Sequence, residues 1–551
     1  MTTALRNTRG LDHGLAAAVA IAAGLTIYPY LTWPATALIQ HGLFVDDAFF
    51  YSVVARNAWL HRFLTFDGIQ PTNGFQPLWM LLQVVLLKAC PHVDPIVVLA
   101  RSSWAAYVLF AFALSEYALR LADATPRRML ALAPVAALLL QAGFHRLVVS
   151  GLEVPLSLLL LILFLTAIER LASTPPTDQS SLRLQCVLTG LLAALTFMCR
   201  TDLFWCVPLA LSVVAVKKRA GAGGARWFAW FLAPVALIVT PYLAWNYTHF
   251  DALMPISGRV KRFYLHASYP SLRAYLHSDE WHGVLSATKS ALALDTWSSG
   301  ALAGAVALLL LGLSFAAAVW LWRSERSSVS EKMLSVLVVL HVGYMYLFYR
   351  ELRPYTSYYF SYVVVWLYLT VSRLLVELSR APTVHGQRFA IGMIGGLVVA
   401  LFVGSWRSAP FPSNELWTRR LELGRGIRQI TEPGQTVGAF WPGLLAATSD
   451  RDIVPLDGII GSESYFQNYV KAGREFDYIR ARHVKYVAIY LETPIEQLIA
   501  QHEAPTGDWR SYGTLRVWQH RAAIKRVVLA EPVLSTGGAW YLLELLTPNS
   551  V

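Results

Sequence analysis

Long runs of apolar residues separated by short polar stretches dominate the first 410 or so positions of the chain. Eleven of these runs are predicted to cross a bilayer core of about 30 Å as helices. They lie at about 13–35, 96–119, 129–149, 152–168, 184–199, 203–216, 227–246, 298–322, 333–349, 356–378 and 389–406. The pattern predicts an all-α polytopic membrane domain over residues 1–410, with about 11 transmembrane helices.

A twelfth apolar run, 77–89, is shorter, and whether it crosses decides the topology. If it does not cross, every basic cluster between the longer runs falls on one side, as the positive-inside rule requires. These clusters lie at 6–9, 120–128, 170–183, 217–226, 323–332 and 373–388. We therefore predict that 77–89 lies at the interface or dips into it, and that residues 411–551 are extracytoplasmic.

The hydrophobic pattern changes character from about residue 411. The stretches "QTVGAFW", "DIVPLDG" and "VKYVAIY" are typical of short strands, with amphipathic helical stretches between them. This predicts a C-terminal soluble α/β domain over residues 411–551. It shows no nucleophile elbow, metal cluster or phosphate loop, so a role in acceptor binding or as a lid is only a hypothesis.

Composition supports the membrane assignment. The chain is 56% hydrophobic and 15% charged, with a mean hydropathy of +0.46, which is too apolar for a soluble protein of 551 residues. The first run has no convincing cleavage site, so it is expected to be a retained span, with the mature chain starting near Met1. The net charge of +12 reflects the positive-inside bias and attraction to anionic lipids, so no nucleic-acid partner is expected.

The sequence shows no motif for several other common chemistries. The four cysteines lie in or beside apolar segments without metal-ligand or disulfide spacing, and are expected to be packing residues. No Walker or dinucleotide glycine motif is present, so any energy for a reaction must come with the substrate.

The predicted outer face carries an adjacent acid pair in "LFVDDAFFYSVVARNAW", at Asp46 and Asp47. One acid would be enough to cap the helix that starts here. A second carboxylate adds repulsion and separates the two pKa values, which suits proton transfer or metal ligation. A functional role is therefore favoured over capping for the pair.

Further candidates lie on the same face. Asn73 and Gln76 belong to the turn-rich "FDGIQPTNGFQPLW", which is either a tight loop or part of a binding site. Glu153 precedes a span, where it could serve chemistry or merely complement the helix dipole.

Two cationic stretches complete the outer set. In "FMCRTDLFW", Arg200 and Asp202 are two residues apart. Side chains at this spacing do not face each other on a helix, so a local ion pair is a poor explanation for them. They are expected at the outer rim or in a polar cavity. Arg259 and Lys261 follow a span on the outer side and suit a lipid-borne phosphate, although ordinary headgroup contact explains them nearly as well.

The order of "DDAFFYSVVARN", "TFDGIQPTNGFQPLW", "SGLEVP", "CRTD" and "WNYTHFDALMPISGRVK" resembles bacterial GT-C glycosyltransferases. The arabinofuranosyltransferases are nearest, with aminoarabinose transferases and protein O-mannosyltransferases more distant. The resemblance covers about residues 13–460. It implies that Asp46 is the catalytic base, with Asp47 beside it and Glu153 as the acid of the second outer loop. Gln76 stands where histidine is expected, and Thr201 where proline is commoner.

That resemblance implies that a sugar is transferred, with inversion, from a polyprenyl-phosphate donor to a glycan, lipid or protein acceptor of the cell envelope. The reaction would take place on the outer face of the bacterial cytoplasmic membrane. The residues also fit this chemistry: a base takes the hydroxyl proton, and cations such as Arg200, Arg259 and Lys261 hold the departing phosphate. Asp46, Asp47 and Glu153 would also suit Mg²⁺ or Mn²⁺, but their spacing does not demand a metal. The alternative is a lipid or polysaccharide carrier without chemistry, which would show mid-span charges and repeated halves.

Overall fold

A computed structural model of the chain describes residues 2–122, 125–175, 177–219, 226–269, 322–349, 358–380, 413–500 and 519–546, with isolated positions between them. The predicted spans 298–322 and 389–406 lie almost wholly outside the described residues.

Helices make up most of the described chain. The earlier ones are α1 (Thr2–Leu31), α2 (Ala35–Gln40), α3 (Asp46–His61), α4 (Pro77–Ala89), α5 (Pro95–Leu119), α6 (Thr125–Leu139), α7 (Ala142–Val148), α8 (Val154–Ser173), α9 (Gln179–Cys199) and α10 (Cys206–Arg219). The later ones are α11 (Arg226–Phe250), α12 (Ile256–Ser268), α13 (Val329–Tyr344), α14 (Ser361–Leu378), α15 (Glu415–Ile430), α16 (Gly443–Thr448), α17 (Glu463–Tyr465), α18 (Glu475–Ala481) and α19 (Ile495–Ala500).

The protein is a multi-pass membrane protein. Within the described residues, seven helices are long and apolar enough to cross a bilayer, and the bent pair α6–α7 would make an eighth. The seven are Gly10–Leu31, Pro95–Leu119, Val154–Ser173, Gln179–Cys199, Arg226–Phe250, Val329–Phe348 and Tyr358–Leu378. Each coincides with a predicted span. The total of eleven stays a prediction.

The chain divides into two compact units that are each built from separated segments. The first comprises Met1–Thr32, Arg101–Pro241 and Tyr275–Pro410, and the second comprises Trp33–Ala100, Tyr242–Ala274 and Phe411–Val551. In the first unit the most enclosed spans are Tyr358–Leu378 and Val154–Ser173, with 83% and 67% of their apolar windows buried. The core of that unit therefore lies around α14 and α8.

The second unit contains a five-stranded sheet. Its strands are β1 (Val437–Ala439), β2 (Ile453–Pro455), β3 (Tyr486–Leu491), β4 (Ile524–Val533) and β5 (Gly538–Leu545), in the order β2-β1-β3-β5-β4. β1 runs parallel to β2 and β3, while β5 is antiparallel to both β3 and β4. Helix α15 packs on β4 and on the short α16, and α16 packs on α3. The start of α3 therefore lies beside residues that come about 400 positions later.

Helix α4 bears directly on the predicted topology. It has 13 residues, which at about 1.5 Å each span roughly 20 Å, too little for a bilayer core of about 30 Å. The length of this helix supports the prediction that 77–89 does not cross.

Cysteine labelling in intact cells would test the topology. We expect a cysteine at position 92 to react with an impermeant reagent from outside, and one at 124 to react only after permeabilisation. The background is Cys90→Ser, because Cys90 is exposed whereas Cys186, Cys199 and Cys206 are buried. Labelling of position 92 only from the cytoplasm, with 124 reacting from outside, would show that α4 crosses.

Candidate functional site

The acid pair lies at the first turn of α3, in the second unit, and each acid has its own cation. Arg420 Nη2 donates to Asp46 Oδ1 at 2.5 Å, and Lys261 Nζ donates to Asp47 Oδ2 at 2.6 Å. The N-cap position of α3 is Val45, and no side chain caps this end of the helix. Neither acid occupies the N-cap position, but both lie in the first turn, where negative charge complements the helix dipole.

Asp46 is also held by main-chain donors. The N–H of Leu444 donates to Oδ1 at 3.0 Å and that of Gly443 to Oδ2 at 3.3 Å. A Cβ on residue 443 would come within 2.6 Å of Asp46 Oδ1, so only glycine leaves room for this approach. Burial raises the pKa of the Asp46 carboxyl, Arg420 lowers it, and Asp47 raises it again. The net increase makes Asp46 a stronger base than an exposed aspartate.

Arg420 is a site residue that sequence reasoning missed. Its side chain is 2% exposed and lies over the rings of Trp540 (4.9 Å) and Trp417 (5.4 Å). Burial lowers the pKa of its guanidinium, and Asp46 raises it. Its spacing from Leu423, Gly424 and Ile427 places it on the buried stripe of α15, which is a signal available in the sequence.

Arg259 and Lys261 lie on α12, in the same unit as the acid pair. The structure pairs Arg259 with Glu463 at 2.6 Å and Lys261 with Asp47 at 2.6 Å. Both are partly buried, with side chains 25% and 16% exposed. The two cations therefore already have carboxylate partners, with which any phosphate would have to compete.

The loop residues before α4 have different surroundings. Asn73 is buried, donates to Asn246 Oδ1 at 3.0 Å and accepts from the N–H of Ile256 at 3.0 Å. These bonds fasten the loop to the start of α12. Gln76 precedes α4 without capping it, and its main-chain N–H donates to the Tyr51 hydroxyl at 3.1 Å. A binding role for Asn73 or Gln76 stays a prediction.

A second charged cluster lies in the first unit, where Arg200 contacts two acids. Its Nη1 donates to Glu153 Oε1 at 2.9 Å, while Nε and Nη2 donate to the two oxygens of Asp202 at 3.0 and 2.9 Å. We call Glu153, Arg200 and Asp202 the Arg200 cluster. The Arg200 and Glu153 side chains are 1% and 4% exposed, and the Tyr359 ring lies 4.8 Å from the guanidinium.

The prediction that Arg200 and Asp202 do not form a local ion pair was wrong. It assumed helical geometry, but α9 ends at Cys199 and Arg200 is extended, with φ −147° and ψ 110°. Thr201–Leu203 then form a 3₁₀ turn, which brings Asp202 back onto the guanidinium. Burial raises the pKa of Asp202, but Arg200 and His341 together outweigh burial, and the pKa lies below its usual value. With both acids ionised, the cluster carries one net negative charge.

The described residues do not fit the divalent cation that the sequence left open. Among them, no group of three or more His, Cys, Asp or Glu side chains could hold a metal ion. Asp46 and Asp47 each contact a cation, which opposes binding of a second positive charge.

Comparison with known proteins finds matches among solved structures. A scan against protein-family models and a search of curated proteins give no match. The archaeal oligosaccharyltransferase AglB from Archaeoglobus fulgidus, in complex with an inhibitory peptide and a dolichol-phosphate, is 13% identical, with a TM-score of 0.55 over 92% of this chain and 71% of that one. ArnT from Cupriavidus metallidurans, bound to undecaprenyl phosphate, is also 13% identical, with a TM-score of 0.54 over 90% and 96%.

A further structure of the Archaeoglobus fulgidus oligosaccharyltransferase, in complex with Zn and sulfate, is 14% identical, with a TM-score of 0.53 over 91% of this chain and 69% of that one. At these identities the similarities establish the fold. The chain has the fold of these oligosaccharyltransferase and ArnT structures, which agrees with the fold that the sequence resemblance predicted.

Proposed function

We propose that this protein transfers a sugar from a polyprenyl-phosphate donor to a hydroxyl of a glycan, lipid or protein acceptor, on the outer face of the bacterial cytoplasmic membrane. The observation that carries the proposal is the shared fold over 90% of this chain and 96% of ArnT, whose structure holds undecaprenyl phosphate. The partly buried acid pair in the second unit supplies a group suited to the chemistry.

The proposed reaction is a single displacement with inversion. The acceptor hydroxyl oxygen attacks the anomeric carbon of the sugar, and its proton passes to a carboxylate. The bond from that carbon to the phosphate oxygen breaks, and the polyprenyl phosphate leaves with the electron pair. The donor thus carries its own leaving group, and the protein supplies the base and the cations that stabilise the phosphate.

Asp46 is the proposed base. Its raised pKa brings it closer to the proton affinity that general-base catalysis requires. A carboxylate offers about four acceptor positions, so the contacts from Arg420, Gly443 and Leu444 leave capacity on Oδ2. The adjacent Asp47 is proposed to hold Lys261 and to add negative charge beside the base.

Arg259 and Lys261 are the proposed ligands of the donor phosphate. Both lie on α12, and beside their carboxylate partners the two side chains stay 25% and 16% exposed. The donor phosphodiester carries one negative charge on two strong acceptor oxygens, and the departing phosphate monoester gains further negative charge, so both can compete for such cations. Arg200 is a weaker candidate, because its side chain is 1% exposed and its guanidinium already donates to two acids; Glu153 and Asp202 are proposed to keep it fixed.

Replacing Arg259 and Lys261 together with Gln is expected to weaken donor binding about tenfold or more, since each charge-assisted hydrogen bond is worth about that factor. Binding of a polyprenyl-phosphate sugar to purified protein in detergent would measure it. The matched control is Arg428→Gln with Arg474→Gln, which removes two exposed cations that also pair with carboxylates in this unit. Equal donor affinity in both double variants would reduce Arg259 and Lys261 to headgroup contacts.

Transfer itself tests the proposed function. Purified protein would be given polyprenyl-phosphate sugars and an envelope extract, and sugar-modified products would be found by mass spectrometry and compared with envelopes from cells that lack the protein. We expect a defined mass increase on one acceptor class. Movement of the intact donor across vesicles without any such product would favour the carrier alternative.

A further inference from the structure

Asp457 is a buried acid of the second unit with no role in the chemistry above. It is 6% exposed and lies just after β2. Its Oδ1 accepts the N–H of Ile459 at 3.0 Å, and its Oδ2 accepts the N–H of Trp441 at 3.3 Å. The first contact is a local turn, whereas the second reaches a segment 16 residues earlier in the chain.

Trp441 has an uncommon backbone conformation. Its φ is +59°, in the left-handed region, which costs a non-glycine residue energy and persists only where the surroundings hold it. Both polar groups of the residue are used: the N–H donates to Asp457, and the carbonyl accepts from Arg420 Nη2. The same nitrogen donates to Asp46 Oδ1 at 2.5 Å.

A continuous series of hydrogen bonds therefore runs from Asp457 through the Trp441 residue to Arg420 and on to Asp46. We propose that Asp457 is a positioning residue, which holds Trp441 in its left-handed conformation so that the Trp441 carbonyl fixes the Arg420 guanidinium against Asp46. The inference rests on the proposed function, because in that reaction Asp457 would control the orientation of the base, Asp46, and the charge around it.

A turn-forming role alone does not account for Asp457. The bond to Ile459 N–H would suffice for the Asp-Gly turn, and Asp67 shows such a case in the same unit. Asp67 is also buried, 7% exposed, and accepts the N–H groups of Ile69 and Gln70. It thus provides a natural comparison that lacks the link to Trp441.

The electrostatic surroundings make the contact sensitive to pH. Burial, together with Asp46 and Asp47 on α3, raises the pKa of Asp457 to about 7 despite two main-chain N–H donors that lower it. Arg420 on α15 faces the same group, and Tyr264 on α12 donates to the main-chain oxygen of Asp457 at 2.8 Å. Only the ionised carboxylate makes a charge-assisted bond to Trp441. The contact is therefore expected to strengthen as pH rises through about 7.

The test compares Asp457→Asn with Asp67→Asn in the full-length protein. The Asn side chain can still accept the hydrogen bond from the Ile459 N–H. Toward the Trp441 N–H, however, it presents either an amide N–H group, which cannot accept, or an uncharged oxygen. We expect Asp457→Asn to lower kcat about tenfold, the worth of one charge-assisted hydrogen bond, with a smaller change in the KM for the donor. The parent's kcat should fall as pH drops below about 7, and the variant should lack that titration. Asp67→Asn should leave both unchanged.

A second readout does not depend on activity. Because the folded pKa of Asp457 lies above the usual value of about 3.9, its contribution to stability is present at low pH and is lost as pH rises from about 4 to about 7. The melting temperature of the parent, relative to Asp457→Asn, should fall over that window and level off above it. Parallel melting curves would overturn the assignment, as would normal kcat and an unaltered pH profile for Asp457→Asn in an active enzyme. A difference in melting with no sugar transfer by the parent would instead sink the proposed function alone.

Discussion

Asp46→Asn is expected to reduce sugar transfer in a single turnover by about 10² to 10⁴, the usual contribution of a positioned general base. The amide keeps the size of the side chain, and its oxygen can still accept from Leu444 and Arg420. It cannot accept the hydroxyl proton. Stability should fall as well, because the neutral amide leaves the buried Arg420 guanidinium without its ionic partner, so transfer is compared per folded molecule.

Three measurements on purified protein would separate chemistry from folding: thermal stability, donor binding and single-turnover transfer. Asp47→Asn is the matched control, since it removes the adjacent acid and breaks the contact with Lys261 instead. Near-normal transfer by Asp46→Asn with an inactive Asp47→Asn would move the base to Asp47. Near-normal transfer by both variants would remove the acid pair from the mechanism.

Arg200→Met is expected to destabilise the first unit by about 3 to 5 kcal/mol, because it leaves buried acids without their cation. Glu153 and Asp202 have side chains only 4% and 11% exposed. Unfolding in detergent, followed by circular dichroism, would measure the loss. Hydrophobic replacement of a complete buried ion cluster is often neutral, whereas removal of one partner is costly.

The matched control for Arg200 is a triple variant, Arg200→Met with Glu153→Gln and Asp202→Asn, which removes every charge of the Arg200 cluster. It should recover much of the stability lost in the single variant. Equal stability of Arg200→Met and the parent would contradict the buried ion pairs. A triple variant as unstable as the single one would show that the cost comes from packing against Tyr359 rather than from charge.

The spans and the first three strands could be predicted because their signals are local. An apolar run of 20 residues or more has few alternatives, and β1, β2 and β3 lie where short apolar stretches are bounded by turn residues. Strands β4 and β5 were not predicted. Every residue of β5 is buried, so the alternation that identifies a half-exposed strand is absent, and a continuous apolar stretch is ambiguous between strand and helix.

The site was predictable in part for a similar reason. Adjacent acids beside a span are conspicuous in sequence, which is why Asp46 and Asp47 could be singled out. Their partners were not, because Arg420 and Asp457 come more than 370 residues later and only tertiary folding brings them together. The conformation of Arg200 was missed because helical spacing rules stop applying once α9 ends at Cys199.

The separation of 374 residues between Asp46 and Arg420 has a consequence for biogenesis. At about 5 to 20 residues per second, the ribosome would add Arg420 roughly 20 to 75 s after Asp46. Throughout that interval the acid pair has no guanidinium partner, and neither Gly443 nor Leu444 exists to donate to it. The Asp46–Arg420 ion pair can form only after Arg420 has been added, so until then the growing chain depends on water, or on the insertion machinery, to accommodate the charge of Asp46.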